Sequence, residues 1–100
     1  MVAYSSAKAS ISGMIKPLAL ELSEIDVRIN SIILGGVETD LHYRLLKNMS
    51  KEGQNHYFKS HLLGIGQSSN ITPLLIFLSS NASKWMTGSE IVLDGGFLVK

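Results

Sequence analysis

The chain has 100 residues, a formal net charge of +1 and a hydrophobic content of 45%. This length allows one modest domain, and the hydrophobic content is sufficient for a core. Lysine and arginine are not clustered, which argues against a nucleic-acid partner or a surface for anionic membranes.

The chain contains no cysteine, which excludes disulfides and thiolate metal sites and makes a reducing cytoplasm the default expectation. Its apolar runs stay shorter than the ~18 residues of a membrane span, and its start lacks the pattern of a signal peptide. We therefore expect no membrane association.

The first predicted element is a long helix over residues 4–22, because apolar residues recur there at helical spacing. Ser5 and Ser6 suit the N-cap position, which would place Tyr4 just outside the helix. Pro17 predicts a kink, since the apolar period continues beyond it. The apolar stripe consists of Ala7, Ile11, Met14, Ile15, Leu18 and Leu22.

Tyr4 and Lys8 are four residues apart, so on a helix they share one face, about 5–6 Å apart at Cβ. A lysine ammonium at that position favours the phenolate form of the tyrosine, which suits it to proton transfer. The spacing alone is more typical of a solvated helix surface, where such pairs are common.

A strand rich in β-branched residues is predicted over residues 27–33, and it ends at Gly35-Gly36. Thr39 or Asp40 then suits the N-cap of a short helix whose apolar side continues to Met49. Residues 51–66 are polar and interrupted by glycine, which predicts a mobile excursion.

A second long helix is predicted over residues 70–79, and its almost wholly apolar composition predicts that it is buried. Residues 81–88 form a predicted loop, and residues 90–93 a short strand. Strands joined by connections of crossover length indicate a parallel pair in an α/β fold. Two parallel strands cannot cover both faces of a sheet, so we expect preceding strands to be missing.

The histidines offer no metal site, because His42, His56 and His61 lack the spacing of metal ligands. We expect all three to lie in loops or on the surface. The glycine pairs match no phosphate-binding motif and are interpreted as turns. A Ser/His/Asp triad is possible by composition only, since no nucleophile-elbow motif is present.

The order of these features resembles the C-terminal half of the classical short-chain dehydrogenases/reductases, of the 3-oxoacyl-carrier-protein reductase type. The resemblance covers nearly the whole chain and is weakest at residues 42–60. It rests on Tyr4-x-x-x-Lys8, Ala19-Leu20-Glu21-Leu22, Val27-Arg28-Ile29-Asn30-Ser31-Ile32, Gly35-x-x-x-Thr39, Gly66, Phe77-Leu78-Ser79-Ser80, Thr87-Gly88 and Asp94-Gly95-Gly96.

The resemblance implies that Tyr4 is the catalytic acid/base and that Lys8 assists it and binds the nicotinamide ribose. It also implies that the segment from Gly35 passes the nicotinamide of NAD or NADP, and that the Val37 backbone and the Thr39 side chain meet its carboxamide or phosphates. Tyr4 and Lys8 are implied to contribute to cofactor binding as well. The expected fold is the C-terminal part of a Rossmann-like, doubly wound parallel sheet spanning residues 1–100, with the N-terminal half absent.

The resemblance further implies a secondary alcohol or ketone as substrate and a cytoplasmic dimer or tetramer. Leu34 stands where the family usually has proline, and Gly64 where it usually has arginine. The Gly-rich turn that would hold the pyrophosphate lies outside the sequence. The alternative is a non-catalytic remnant that acts only as an interaction or structural fragment.

Overall fold

A computed structural model of the chain describes residues 2–99. Within them, no helix is both long and apolar enough to cross a membrane. The elements are α1 (Val2–Ser23), β1 (Ser31–Leu34), α2 (Asp40–Lys47), α3 (Lys51–Ser60), α4 (Ser68–Ser79), a 3-10 turn (Asn81–Ser83) and β2 (Glu90–Leu93).

The two strands form a parallel sheet, as predicted. The Ser31 N–H donates to the Ser89 carbonyl at 2.8 Å, and the Gly35 N–H donates to the Leu93 carbonyl at 3.1 Å. The pairing partner thus advances in step with the strand, which is the signature of parallel pairing. The range of β2 agrees with the predicted strand over residues 90–93.

The first strand is shorter than predicted, because the residues before Ser31 use their polar groups in irregular contacts. The Ile29 N–H donates to Thr87 Oγ1 at 3.1 Å, and the Ile29 carbonyl accepts from the Gly88 N–H at 2.7 Å. Asn30 similarly donates to the Met86 carbonyl and accepts from the Ser89 N–H. These hydrogen bonds pair the polar groups of Ile29 and Asn30 without the regular hydrogen-bond ladder of a β-sheet.

The chain divides into two compact units. The first unit comprises the chain up to Ile32 together with Ile76–Ile91, and the second comprises Ile33–Leu75 together with the chain from Val92 onward.

In the first unit, α1 is longer than predicted and contains Tyr4 in its first turns, so the prediction that Tyr4 precedes the helix is wrong. The helix continues through Pro17. Only Ile15 and Ala19 of this helix are fully buried among the described residues. Gly88 has a φ of +70°, which strains residues with a side chain, and a Cβ there would lie a tight 3.2 Å from the Ala19 Cβ, so glycine is favoured at this contact.

Arg28 holds the carboxyl end of α4 in the first unit. Its guanidinium donates to the Leu78 carbonyl at 2.9 Å, the Ser80 carbonyl at 3.3 Å and the Met86 carbonyl at 3.1 Å. The last carbonyls of a helix have no partner within the helix, and side chains commonly satisfy them. The hydroxyl of Ser83, 1% exposed, also donates to Leu78 and Ser80.

In the second unit, α3 occupies residues 51–60 of the predicted excursion over 51–66, so the prediction of an irregular segment is wrong for these residues. Ser50 caps the helix by accepting from the Gly53 N–H at 3.0 Å. The Gln54 side chain donates to the Leu46 carbonyl at 2.7 Å, which ties α3 to the end of α2. This helix was not predicted because residues 51–60 are polar and show no apolar stripe. Capping and side-chain hydrogen bonds stabilise it instead.

The helix α4 begins two residues earlier than predicted and is not buried. Leu75, Ile76 and Phe77 are 49%, 64% and 40% exposed. A helix that is apolar on all sides needs neighbours on every side to be buried. The described residues of this chain do not supply them.

We predict that Arg28→Met lowers the free energy of unfolding by about 1.5–3 kcal/mol, the contribution of hydrogen bonds from a charged group. Urea denaturation measures this value. Arg44→Met, at an exposed position of α2, is the control and should change stability by less than about 0.5 kcal/mol. Equal losses in the two variants would show that Arg28 does not hold the end of α4.

Candidate active site

Tyr4 and Lys8 are brought together on α1, as their spacing predicts. The Lys8 Nζ lies 5.6 Å from the centroid of the Tyr4 ring, within the range of a cation–π contact. Both side chains are exposed, and Tyr4 is 61% accessible. The phenol is therefore open to a substrate, and a positive charge stands beside it.

Gly35, Val37 and Thr39 lie in the second unit, directly after the carboxyl end of β1. A Cβ on Gly35 would come within 2.8 Å of the Asp94 backbone, which explains the need for glycine there. In open parallel sheets, ligands bind beyond the carboxyl ends of the strands. The three residues thus occupy the end of the sheet where a ligand is expected.

Of the two residues predicted for the N-cap of α2, Thr39 takes this position. Its Oγ1 accepts from the His42 N–H at 3.1 Å, which satisfies one of the free amides at the start of the helix. A hydroxyl can accept and donate at the same time. The Thr39 O–H therefore retains a proton that it can donate to a ligand.

Val37 has peptide groups that are free to bind a ligand. It forms an isolated parallel bridge with Gly66, in which the neighbouring Gly36 carbonyl and Glu38 N–H make the hydrogen bonds, both 2.8 Å long. The N–H and C=O of Val37 itself point to the opposite side of such a bridge. Within residues 2–99, neither group has a hydrogen-bond partner.

A primary carboxamide fits these free groups. It presents a carbonyl acceptor and an N–H donor side by side, so it can pair with the N–H and C=O of Val37 as a neighbouring strand would. A cavity of about 240 Å³ at the same end of the sheet is lined by Val37, Gly66, Asn70 and Asp94, among others. The chemistry of this segment is therefore compatible with a nicotinamide.

The prediction that all three histidines lie in loops or on the surface is wrong for His42, which is 7% exposed and lies in α2. His61 follows the carboxyl end of α3 as its cap and is buried, at 4% exposure. The His61 Nε2 accepts from the Gly36 N–H at 2.8 Å, and its Nδ1 lies 2.8 Å from the Tyr57 carbonyl. His61 therefore contacts the segment that carries Val37.

Tyr57 also packs against Gly36. A Cβ on Gly36 would clash with the Tyr57 hydroxyl. The Tyr57 ring lies 4.7 Å from the His61 ring and 5.6 Å from the His42 ring, between centroids, and its hydroxyl is 3.4 Å from His42 Nδ1. Burial raises the pKa of the Tyr57 phenol, because removal from water disfavours the charged form.

The sequence carried one signal for this cluster. Tyr57 and His61 are four residues apart, the same spacing as Tyr4 and Lys8, and on a helix such residues share a face. Because no helix was predicted over residues 51–60, this spacing did not indicate that Tyr57 and His61 lie on one face.

We predict that Gly36→Ala destabilises the chain by about 1–3 kcal/mol, the usual cost of overpacking. Gly13→Ala in α1 should instead stabilise it by about 0.5–1 kcal/mol, because a Cβ there meets nothing within 4 Å and alanine favours the helix. Thermal and urea unfolding of both variants measure the difference. A stability unchanged by Gly36→Ala would contradict the close approach of Tyr57.

The raised pKa of Tyr57 predicts a loss of stability in alkaline solution. In the unfolded chain the phenol ionises near its ordinary value of 10.0, before it does so in the folded chain. The contribution of the buried, neutral phenol to the free energy of unfolding is therefore complete below this pH. It is lost as the pH rises through the higher pKa of the folded state. Urea denaturation between pH 8 and 11, at about half-unit steps, should show a smaller alkaline loss for Tyr57→Phe than for the wild type. The exposed-site variant Tyr43→Phe should follow the wild type.

The chain matches, over residues 1–98, a family model described as enoyl-(acyl carrier protein) reductase. It is 34% identical over 97 residues to the NADPH-dependent aldehyde reductase 2 of Arabidopsis thaliana chloroplasts, covering 96% of this chain and 35% of that protein. It is 35% identical over 94 residues to the 3-oxoacyl-[acyl-carrier-protein] reductase of Chlamydia muridarum, covering 93% and 36% of the two chains. It thus spans about a third of the length of these relatives.

Among solved structures, the fold is similar to a short-chain dehydrogenase family protein from Francisella tularensis, with a TM-score of 0.82 and 38% identity. The match covers 98% of this chain and 44% of that one. The resemblance noted from the ordered motifs is thereby confirmed by the sequence model and by the structural similarity. The chain belongs to the short-chain dehydrogenase/reductase family.

Proposed function

We propose that the chain carries the proton-transfer half of an NAD(P)-dependent oxidoreductase that interconverts a secondary alcohol and a ketone. The observation that supports this most directly is the exposed Tyr4–Lys8 pair, in which the ammonium lies 5.6 Å from the centroid of the phenol ring. Both relatives described above bear the names of carbonyl reductases, which supports the same type of reaction.

In the proposed reaction, Tyr4 moves the proton. Its hydroxyl donates to the carbonyl oxygen when a ketone is reduced, and the phenolate takes the proton back when an alcohol is oxidised. The Lys8 ammonium places a positive charge beside the ring that carries this hydroxyl. The nicotinamide, when bound, supplies or accepts the hydride.

The cofactor is proposed to be NAD or NADP, held in part by the segment after β1. Val37 would pair with the carboxamide through its free N–H and C=O, and the Thr39 hydroxyl would donate a hydrogen bond. Gly35 allows the backbone to turn close to Asp94. Lys8 would contact the nicotinamide ribose, as the family resemblance implies.

The substrate is proposed to be a small molecule that enters beside Tyr4. The relatives' names specify an aldehyde and a 3-oxoacyl thioester, so carbonyl compounds of these classes are the first to test. We further propose, from the family resemblance, that residues 1–100 form one catalytic and substrate-binding half and that the protein works in the cytoplasm as a dimer or tetramer. The enzyme names of the relatives do not favour the alternative of a non-catalytic interaction fragment.

We predict that Tyr4→Phe lowers kcat by at least about 100-fold, because general acid–base catalysis commonly contributes this much. The assay follows NADPH or NADH absorbance with a 3-oxoacyl thioester as substrate. Nucleotide binding, measured by fluorescence titration, should stay within a few-fold of the wild type. The phenylalanine keeps the ring beside Lys8 and removes only the hydroxyl.

Two controls accompany this test. Tyr43→Phe makes the same chemical change at an exposed site on α2, and Lys16→Met removes a lysine from the same helix as Lys8. Both should keep wild-type turnover, whereas Lys8→Met should lose it. Retained turnover in Tyr4→Phe would refute the assigned role, and a wild-type chain that binds neither nucleotide would refute the proposed function.

A further inference from the structure

The His61 imidazole contacts one group that can only donate and another that can only accept. The Gly36 N–H is a donor, so His61 Nε2, 2.8 Å away, must carry a lone pair. The Tyr57 carbonyl is an acceptor, so His61 Nδ1, also 2.8 Å away, must carry the proton. Both bonds form together only in the neutral imidazole with its proton on Nδ1.

Packing fixes the orientation of this ring. The Phe97 ring lies 4.7 Å from the His61 ring at an interplanar angle of 33°, and the Tyr57 ring lies 4.7 Å away at 65°. The side chain is 4% exposed, so water cannot replace either hydrogen bond at little cost. His61 thus has one position and one protonation state that satisfy its surroundings.

The segment that His61 contacts is held on two sides. The Gly36 carbonyl accepts from Gly66, and the Glu38 N–H donates to Gly66, so these bonds fix the segment on the side of the bridge. The His61 bond fixes the remaining polar group of Gly36. Between these anchors lies Val37, whose N–H and C=O are unpaired within residues 2–99.

We infer that His61 is a positioning residue for the cofactor: its neutral Nδ1–H form accepts the Gly36 N–H and thereby sets the Val37 peptide groups for a carboxamide. The inference rests on the proposed function. His61 touches no reacting atom and acts through Gly36. Ligand groups placed in advance bind more tightly, because less ordering is lost on binding.

The test uses the full 100-residue chain, NADH and NADPH as probes, and three variants. His61→Gln can place its Oε1 near the position of Nε2 and keep the acceptor, whereas His61→Leu removes it. His56→Leu is the matched control, because His56 is an exposed histidine on the same helix. Each variant is titrated with both nucleotides and examined for amide hydrogen exchange at Gly36.

We expect His61→Leu to weaken nucleotide binding at least about tenfold, the effect of one lost hydrogen bond in a buried site. His61→Gln and His56→Leu should stay within about threefold of the wild type. The Gly36 amide should exchange slowly in the wild type and in His61→Gln, and faster in His61→Leu. Long-range nitrogen–proton NMR spectra should show His61 with its proton on Nδ1.

Three results would overturn the inference while leaving the proposed function intact. These are a His61 proton on Nε2, His61→Leu binding nucleotide as tightly as the wild type, or His61→Gln losing tenfold or more. Should His61→Leu fail to fold, His61→Gln and the NMR spectra decide the question. A wild-type chain that binds neither nucleotide refutes the proposed function, and the inference about His61 fails with it. The NMR spectra of His61 still test its hydrogen bonds in that case.

Discussion

Both units of the chain depend on one constraint: backbone groups left without partners where a helix or strand ends must be satisfied by other means. In the first unit, Arg28 supplies donors to the carbonyls at the end of α4. In the second unit, His61 accepts from the amide of Gly36 after β1 and donates to the carbonyl of Tyr57 near the end of α3. Side chains thus complete the hydrogen bonding that two short strands cannot provide.

Val37 is the informative exception to this constraint. Its neighbours Gly36 and Glu38 are paired with Gly66, yet its own N–H and C=O are unpaired within residues 2–99. Unpaired peptide groups beside a cavity, at the carboxyl end of a parallel strand, are a natural place for a ligand that is itself an amide. His61 and Tyr57 both contact the neighbouring Gly36, so residues that pack in the second unit also lie beside these free groups.

The proposed catalytic pair has a different physical character. Tyr4 and Lys8 depend on helix geometry alone, since a spacing of four residues brings them together on α1. Both are exposed, so their chemistry requires little from the interior of the first unit. The proposed cofactor segment, in contrast, is held by His61 at the end of α3 and by the loop at Gly66, and Phe97 packs against the His61 ring.

This contrast explains what could be predicted from the sequence. Local spacing predicted the long helix, the proximity of Tyr4 and Lys8, the Thr39 cap and the strand over residues 90–93. The ordered motifs predicted the family, because they sample many separate positions at once. The polar helix α3 was missed, since no apolar period marks it and its stability comes from capping and from Gln54.

By itself, the sequence therefore determined the family and the residues of the proposed proton transfer, because both depend on short-range spacing and on the order of motifs. Only the tertiary structure decided the hydrogen bonds of His61 and left the Val37 peptide groups unpaired within residues 2–99. The physical reason is that these features depend on hydrogen bonds between residues 25 positions apart, from Gly36 to His61, and on a bridge from Val37 to Gly66. Such pairings are set by how the chain folds back on itself, and no local pattern encodes them.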